Sequence, residues 1–135
     1  MTQSVLISGG GIVGSYLGLE LAARNIPFQI IEKSHPKPSP IDHIRTLTLN
    51  LSAFEMLNAL DVKTSAASIQ TMNVLDGVGT GQLVFSAQDA NLDYLAKVLS
   101  FNALKEALSN KVVDSTTAGK YIVSFASTGS GVEVV

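Results

Sequence analysis

Gly9, Gly11 and Gly14 stand at the spacing GxGxxG, after the apolar residues VLIS and ahead of a second apolar stretch, and Glu32 closes the next apolar segment. Residues of these types in this order can bind a dinucleotide. Gly9 permits a tight turn out of a strand, Gly11 lets a pyrophosphate approach the backbone, and Gly14 lets a helix lie close to a sheet. The exposed amides and the positive end of the helix dipole then attract the phosphates. Glu32 falls where a carboxylate accepts both hydroxyls of an adenosine ribose. It would repel a 2'-phosphate, which argues against NADP at this site. FAD and NAD carry the same ADP half, so these residues leave both open.

That chemistry needs a strand, a helix and a second strand. Residues 5–8 form an apolar run without polar alternation, as expected of a central parallel strand covered on both faces. In the following helix Gly14, Gly18 and Ala22 recur every four residues, making a stripe of small side chains along which it can approach a sheet. Ile12, Tyr16, Leu17 and Leu21 are expected to widen its buried face. The helix should stop near Arg24 and Asn25, where Asn accepts a left-handed cap and Pro27 cannot continue the ladder. Residues 28–32 read as a second buried strand, completing a βαβ unit of about thirty residues.

Beyond it, SHPKPSP at residues 34–40 reads as a loop. Ser52 is expected to cap a helix, with Glu55 in a capping box and Phe54, Met56, Leu57 and Leu60 on the buried face. Residues 69–75 and 82–86 read as a strand pair around DGVGTG, where Asp76 is a turn residue. Residues 103–108 read as a short helix with Leu104 and Leu108 inward. Residues 112–113, 121–126 and 132–135 are strand candidates, and STGSG at 127–131 reads as a hairpin turn. His35 and His43 lie in a loop without other groups at metal-ligand spacing, so no metal site is expected.

The chain has 135 residues, a net charge of -2, no cysteine, and a composition that is 46% hydrophobic and 15% charged. The length suits one domain spanning residues 1–135, able to bury roughly 70% of its unfolded surface. Nine basic residues without a cluster give no electrostatic case for nucleic acid. No apolar run approaches the roughly 18 residues of a membrane span, so no transmembrane segment is expected. Absence of cysteine and of a signal-peptide pattern reads as cytoplasmic.

The stretch GGGIVGSYLGLELAARNIPFQIIEK resembles the first FAD-binding motif of p-hydroxybenzoate hydroxylase-type flavoprotein monooxygenases. DHIRTLTLNLSAFEMLNALDV and IQTMNVLDGVGTGQLVFSAQ are similar to segments of the ubiquinone-biosynthesis hydroxylases within that family. The resemblance implies an α/β, Rossmann-like FAD-binding domain with a parallel sheet and added short strands. It also implies NAD(P)H as electron donor and a small aromatic substrate. Its cofactor-binding set is Gly9, Gly11, Ile12, Val13, Gly14, Glu32, Lys33 and Arg45, with no catalytic nucleophile and no metal. Arg45 alone would be a solvated loop residue or a partner of Asp42; the resemblance puts it beside the flavin, where a permanent cation suits a phosphate or a reduced ring.

Where the family commonly carries Glu-Asn or an arginine before a helix, this chain has Ser100 and Phe101, so one cofactor contact is expected to be absent. The family's polypeptide is also much longer. An incomplete domain, unable to turn over alone and inclined to self-associate, is the corresponding expectation. Two other readings stay open: an NAD-dependent oxidoreductase built on the same βαβ unit, and a non-catalytic nucleotide-binding or assembly module.

Overall fold

The computed structural model describes residues 4–35 and 44–135. In chain order the elements are β1 (Val5–Ser8), α1 (Ile12–Ala23), β2 (Phe28–Glu32), β3 (Thr46–Asn50), α2 (Leu51–Ala59), β4 (Ala66–Ile69), β5 (Thr71–Leu75) and β6 (Gln82–Ser86). They continue with β7 (Ala96–Ser100), α3 (Phe101–Lys111), a 3-10 turn (Val113–Ser115), β8 (Thr116–Ala118), β9 (Phe125–Thr128) and β10 (Gly131–Val134). The chain forms two compact units, one of Met1–Ser39 with Lys105–Val135 and one of Pro40–Leu104.

The first unit is built on a parallel sheet of order β1-β2-β8, the mixed α/β class read from the sequence. Ile7, Ile30 and Val112 are its buried core, with Leu19, Leu21 and Phe28 packed against them. α1 comes close to β2 because Gly18 has no side chain: a Cβ there would lie 2.7 Å from the Phe28 ring. Asn25 ends the helix at φ 56°, the left-handed cap expected of it, with its N–H donating to the Ala22 carbonyl. β9 and β10 pair as an antiparallel hairpin whose turn is only Gly129 and Ser130, shorter than the expected 127–131 because Ser127, Thr128 and Gly131 are already in the strands.

Several expectations are corrected here. β2, not β1, is the central strand, because β8 docks on its far edge; β1 pairs only with β2 among the described residues. Leu17 is 43% exposed and Ala22 is exposed, while Ser15 and Gly18 are buried. α1 is apolar nearly all round, so periodicity alone could not choose the face that packs. Residues 112–113 form no strand: Val112 caps the 3-10 turn, Val113 begins it, and β8 follows directly at Thr116. The strand expected over 121–126 begins only at Phe125.

The second unit holds an antiparallel sheet of order β3-β7-β4 with α2 against β3 and β7, and a β5-β6 hairpin. Leu57, Val62, Ala87, Ala96, Leu99 and Leu104 are buried. Asn50, not Ser52, caps α2: its side-chain oxygen accepts from the Ala53 N–H at 2.8 Å. Asn is as good a cap as Ser, and the extended end of β3 sets it at φ -68°, ψ 169°, so the helix starts directly from the strand. Met56 is 50% exposed, off the face that buries Leu57. The single strand expected over 69–75 is broken at Gln70 into β4 and β5. The β5-β6 pairing and the Asp76 turn are as expected, with Asp76 Oδ1 accepting from the Val78 N–H at 3.0 Å.

Candidate functional site

The glycine loop forms because the chain must leave β1 and start α1 within three residues. Gly9 takes φ +102°, which an L side chain rarely adopts, while its N–H donates to the Ile31 carbonyl at 2.8 Å and ties the turn to β2. Gly14 faces straight back onto the loop: a Cβ there would overlap the Gly9 carbonyl oxygen. Over Gly11 the reverse holds, since a Cβ would meet nothing within 4 Å. Gly11 is the N-cap of α1 and has no side chain to cap it, so among the described residues the amides of the first turn have no capping side chain. Open space beside amide donors at a helix start suits a pyrophosphate.

Glu32, at the end of β2, reaches this loop directly. Its Oε2 accepts from the Gly10 N–H at 2.6 Å and its Oε1 from the Ser34 N–H at 2.8 Å. Both oxygens keep further acceptor capacity for ribose hydroxyls. The Ser34 amide first, the Gly10 amide next, and the Lys105 ammonium more weakly hold this carboxyl below the usual carboxylate range. A folded pKa below the unfolded one gives a contribution that is complete above the unfolded value and lost as pH falls through the folded value. The stability advantage of wild type over Glu32→Gln should therefore shrink on acidification below the ordinary carboxylate range. Acid unfolding followed by circular dichroism measures this, and a gap that ignores pH would reject it. If Glu32 takes the ribose, Glu32→Ala should cost roughly 1.5 to 3 kcal/mol of affinity for adenosine ligands, the size of the charge-assisted bonds removed. Calorimetry with ADP reads the difference, and unchanged affinity would remove Glu32 from the ribose.

Ser15 contributes something the sequence reading missed. It is 2% exposed, and its hydroxyl donates to the Gly10 carbonyl at 3.1 Å, so it holds the far side of the residue whose N–H meets Glu32. A polar residue beside Gly14, in a helix otherwise apolar there, was the available signal. Among the remaining candidates, Ile12 is half-buried, Val13 is 80% exposed at the helix start, and the Lys33 ammonium lies 5.3 Å from the centroid of the Tyr121 ring. Gly9, Gly11, Ile12, Val13, Gly14, Glu32 and Lys33 are thus all in the first unit. Arg45 belongs to the second, where its guanidinium carbon sits 3.9 Å from the centroid of the Phe101 ring. Asp42 and His43 lie outside the described residues.

No protein-family model matches this sequence, and no curated protein does. Solved structures do match. Klebsiella pneumoniae HpxO complexed with FAD and uric acid superposes with a TM-score of 0.75 at 16% identity, over 98% of this chain and 34% of that one. The 2,6-dihydroxypyridine-3-hydroxylase from Arthrobacter nicotinovorans gives 0.73 at 14% identity, over 99% and 33%. The flavin-dependent monooxygenase PieE in complex with FAD and substrate gives 0.72 at 18% identity, over 97% and 26%. The chain has the fold of a fragment of FAD-binding monooxygenases. It spans about a third of the length of the first two structures. At these identities the likeness is one of fold, and it extends over nearly the whole of this chain.

Among the described residues, no group of histidine, cysteine and acidic side chains could hold a metal ion, and no helix is long and apolar enough to cross a membrane.

Proposed function

We propose that residues 1–135 are the FAD-binding portion of a flavoprotein aromatic-ring hydroxylase of the ubiquinone-biosynthesis kind, dependent on NAD(P)H and unable to turn over alone. The observation that carries this reading is the glycine loop with the Glu32 carboxylate hydrogen-bonded to it. Around that loop the chain runs from β2 into an antiparallel unit and only then returns as the parallel strand β8. An NAD domain would continue as βαβαβ directly, so the connection favours FAD over NAD.

In this reading the first-turn amides of α1 bind the pyrophosphate, Glu32 orients the ribose, and Ser15 holds the Gly10 peptide in place. Arg45 supplies a permanent cation for the flavin side of the cofactor. Bound flavin supplies the oxygen chemistry of ring hydroxylation; the protein supplies orientation, electrostatics and exclusion of water.

Self-association belongs to the same proposal. The outer edge of β1 is unpaired among the described residues and borders a groove of about 870 Å³ shared with β9 and β10, whose lining carries no charged side chain. Such an edge is a template for another strand. FAD titrated into the purified chain should develop a bound-flavin absorbance band that ADP competes away, with light scattering on the same sample above monomer mass. Binding of NAD but not FAD would overturn the cofactor assignment. A monodisperse monomer retaining stoichiometric FAD through gel filtration would overturn both the incompleteness and the association.

A further inference from the structure

We propose that Ser15 is a positioning residue that selects the orientation of the Gly10–Gly11 peptide, aiming the Gly11 N–H outward as a donor for a phosphate of the bound nucleotide. The proposal rests on the FAD reading above for its ligand and deepens it. The orientation itself rests on this chain alone, and every residue involved lies in the first unit.

Among the described residues Ser15 is the only polar one that is buried, at 2% exposure. Its hydroxyl donates to the Gly10 carbonyl at 3.1 Å, and its own N–H donates to the Gly11 carbonyl at 2.9 Å. One residue thus holds two successive carbonyls of the glycine loop. The Gly10–Gly11 peptide is trans, and in a trans peptide the carbonyl and the N–H point opposite ways. With the Gly10 oxygen turned in to a buried hydroxyl, the Gly11 N–H has to turn away from it. Gly11 is exposed, a Cβ there would meet nothing within 4 Å, and among the described residues its N–H meets no acceptor. The donor is therefore aimed from behind.

Sterics alone would not choose this orientation, because glycine stands on both sides of the peptide. A half-turn of its plane would carry Gly11 from φ -71° to a positive φ, which glycine adopts readily. It would also swing the Gly10 oxygen out to where a phosphate approaches, putting a repelling dipole in place of a donor. That turn breaks the hydroxyl–carbonyl pair, and a buried polar group without its partner is unfavourable. The preceding peptide is held separately, by the Gly10 N–H on Glu32 Oε2 at 2.6 Å. Two side chains thus hold two consecutive peptides, Glu32 on the ribose side and Ser15 on the phosphate side.

Ser15→Ala removes the hydroxyl and keeps a good helix former; Ser15→Cys keeps nearly the same volume with a weak donor. In the ligand-free protein, nitrogen relaxation dispersion should find the Gly11 amide in one orientation in wild type. In both variants it should exchange between two on the microsecond to millisecond scale, and saturating ADP should quench that exchange. ADP and FAD affinity should fall about three- to tenfold in Ser15→Ala, as when the competent orientation drops to between about a third and a tenth of the molecules. Ser15→Cys should fall between the two. Adenosine, which carries the ribose without a phosphate, should bind all three proteins equally.

A Gly11 amide as quiet in Ser15→Ala as in wild type would overturn the positioning role. Equal loss of adenosine and ADP affinity would overturn it too, because the damage would then not be confined to the phosphate side. Failure of the cofactor reading looks different: wild type then binds neither ADP nor FAD, while exchange at Gly11 still appears when the hydroxyl is removed.

Discussion

Gly11→Val is expected to fold as wild type does and to lose more than about a hundredfold in affinity for FAD and ADP, at least ~2.7 kcal/mol. The two halves of that expectation have separate causes. Gly11 sits at φ -71°, ψ -172°, extended backbone that any residue adopts, and a Cβ there touches nothing within 4 Å. Replacing an N-cap glycine costs the helix at most about 1 kcal/mol. The same free space is where the proposed pyrophosphate would meet the amides of α1, and a branched side chain fills it. Calorimetry with FAD and ADP, beside a thermal melt, separates the two. Equal binding by wild type and variant would mean that no phosphate approaches this backbone.

Three residues further on the result reverses. Gly14→Ala should be destabilised by roughly 1–3 kcal/mol even though alanine favours a helix over glycine, because the added methyl has no room. It would overlap the Gly9 carbonyl oxygen and stand 3.1 Å from the Gly9 carbonyl carbon and 3.3 Å from Ile7 Cγ2. The nearest of these atoms belongs to backbone held by the Gly9–Ile31 hydrogen bond, so relief means moving the loop away from β2. The melting temperature should drop by about 3–5 °C per kcal/mol lost, with nucleotide binding weakened in parallel. An unchanged melt would show that the loop yields easily and that Gly14 has another purpose.

These opposite outcomes mark what the sequence could and could not convey. The turn at Gly9 and the close approach at Gly14 were legible because backbone geometry demands glycine at both positions. Leu104 and Leu108 were legible as the inward pair of a short amphipathic helix, and both are buried. The strands β3, β7 and β8 did not stand out as strands. TLTLN alternates strictly but over only five residues, AKVLS and TTA alternate weakly, and all three hold as strands by pairing with distant partners. Asn50 as a cap was hidden for the same reason, since it caps α2 only once β3 ends there. The Ser34 amide on Glu32 and the Ser15 hydroxyl on Gly10 depend on three-dimensional approach and leave little trace in residue order.

The order of the parallel sheet also governs when the protein can finish folding. β1, α1 and β2 are contiguous in the chain, but β2 gains its second neighbour through Ile30↔Thr116, after the whole antiparallel unit has been passed. Contacts between such distant residues carry the loop-closure entropy of everything between them and form late. On a ribosome the residues of the antiparallel unit emerge before β8 exists, so that unit can assemble while the outer edge of β2 still waits. The glycine turn needs only residues up to Ser34 for the hydrogen bonds of Gly9, Gly10 and Glu32. The proposed dinucleotide, if it is present during synthesis, would therefore meet this turn before the sheet is complete, and its binding energy would stabilise the nascent β1-α1-β2 segment against the wait for its third strand.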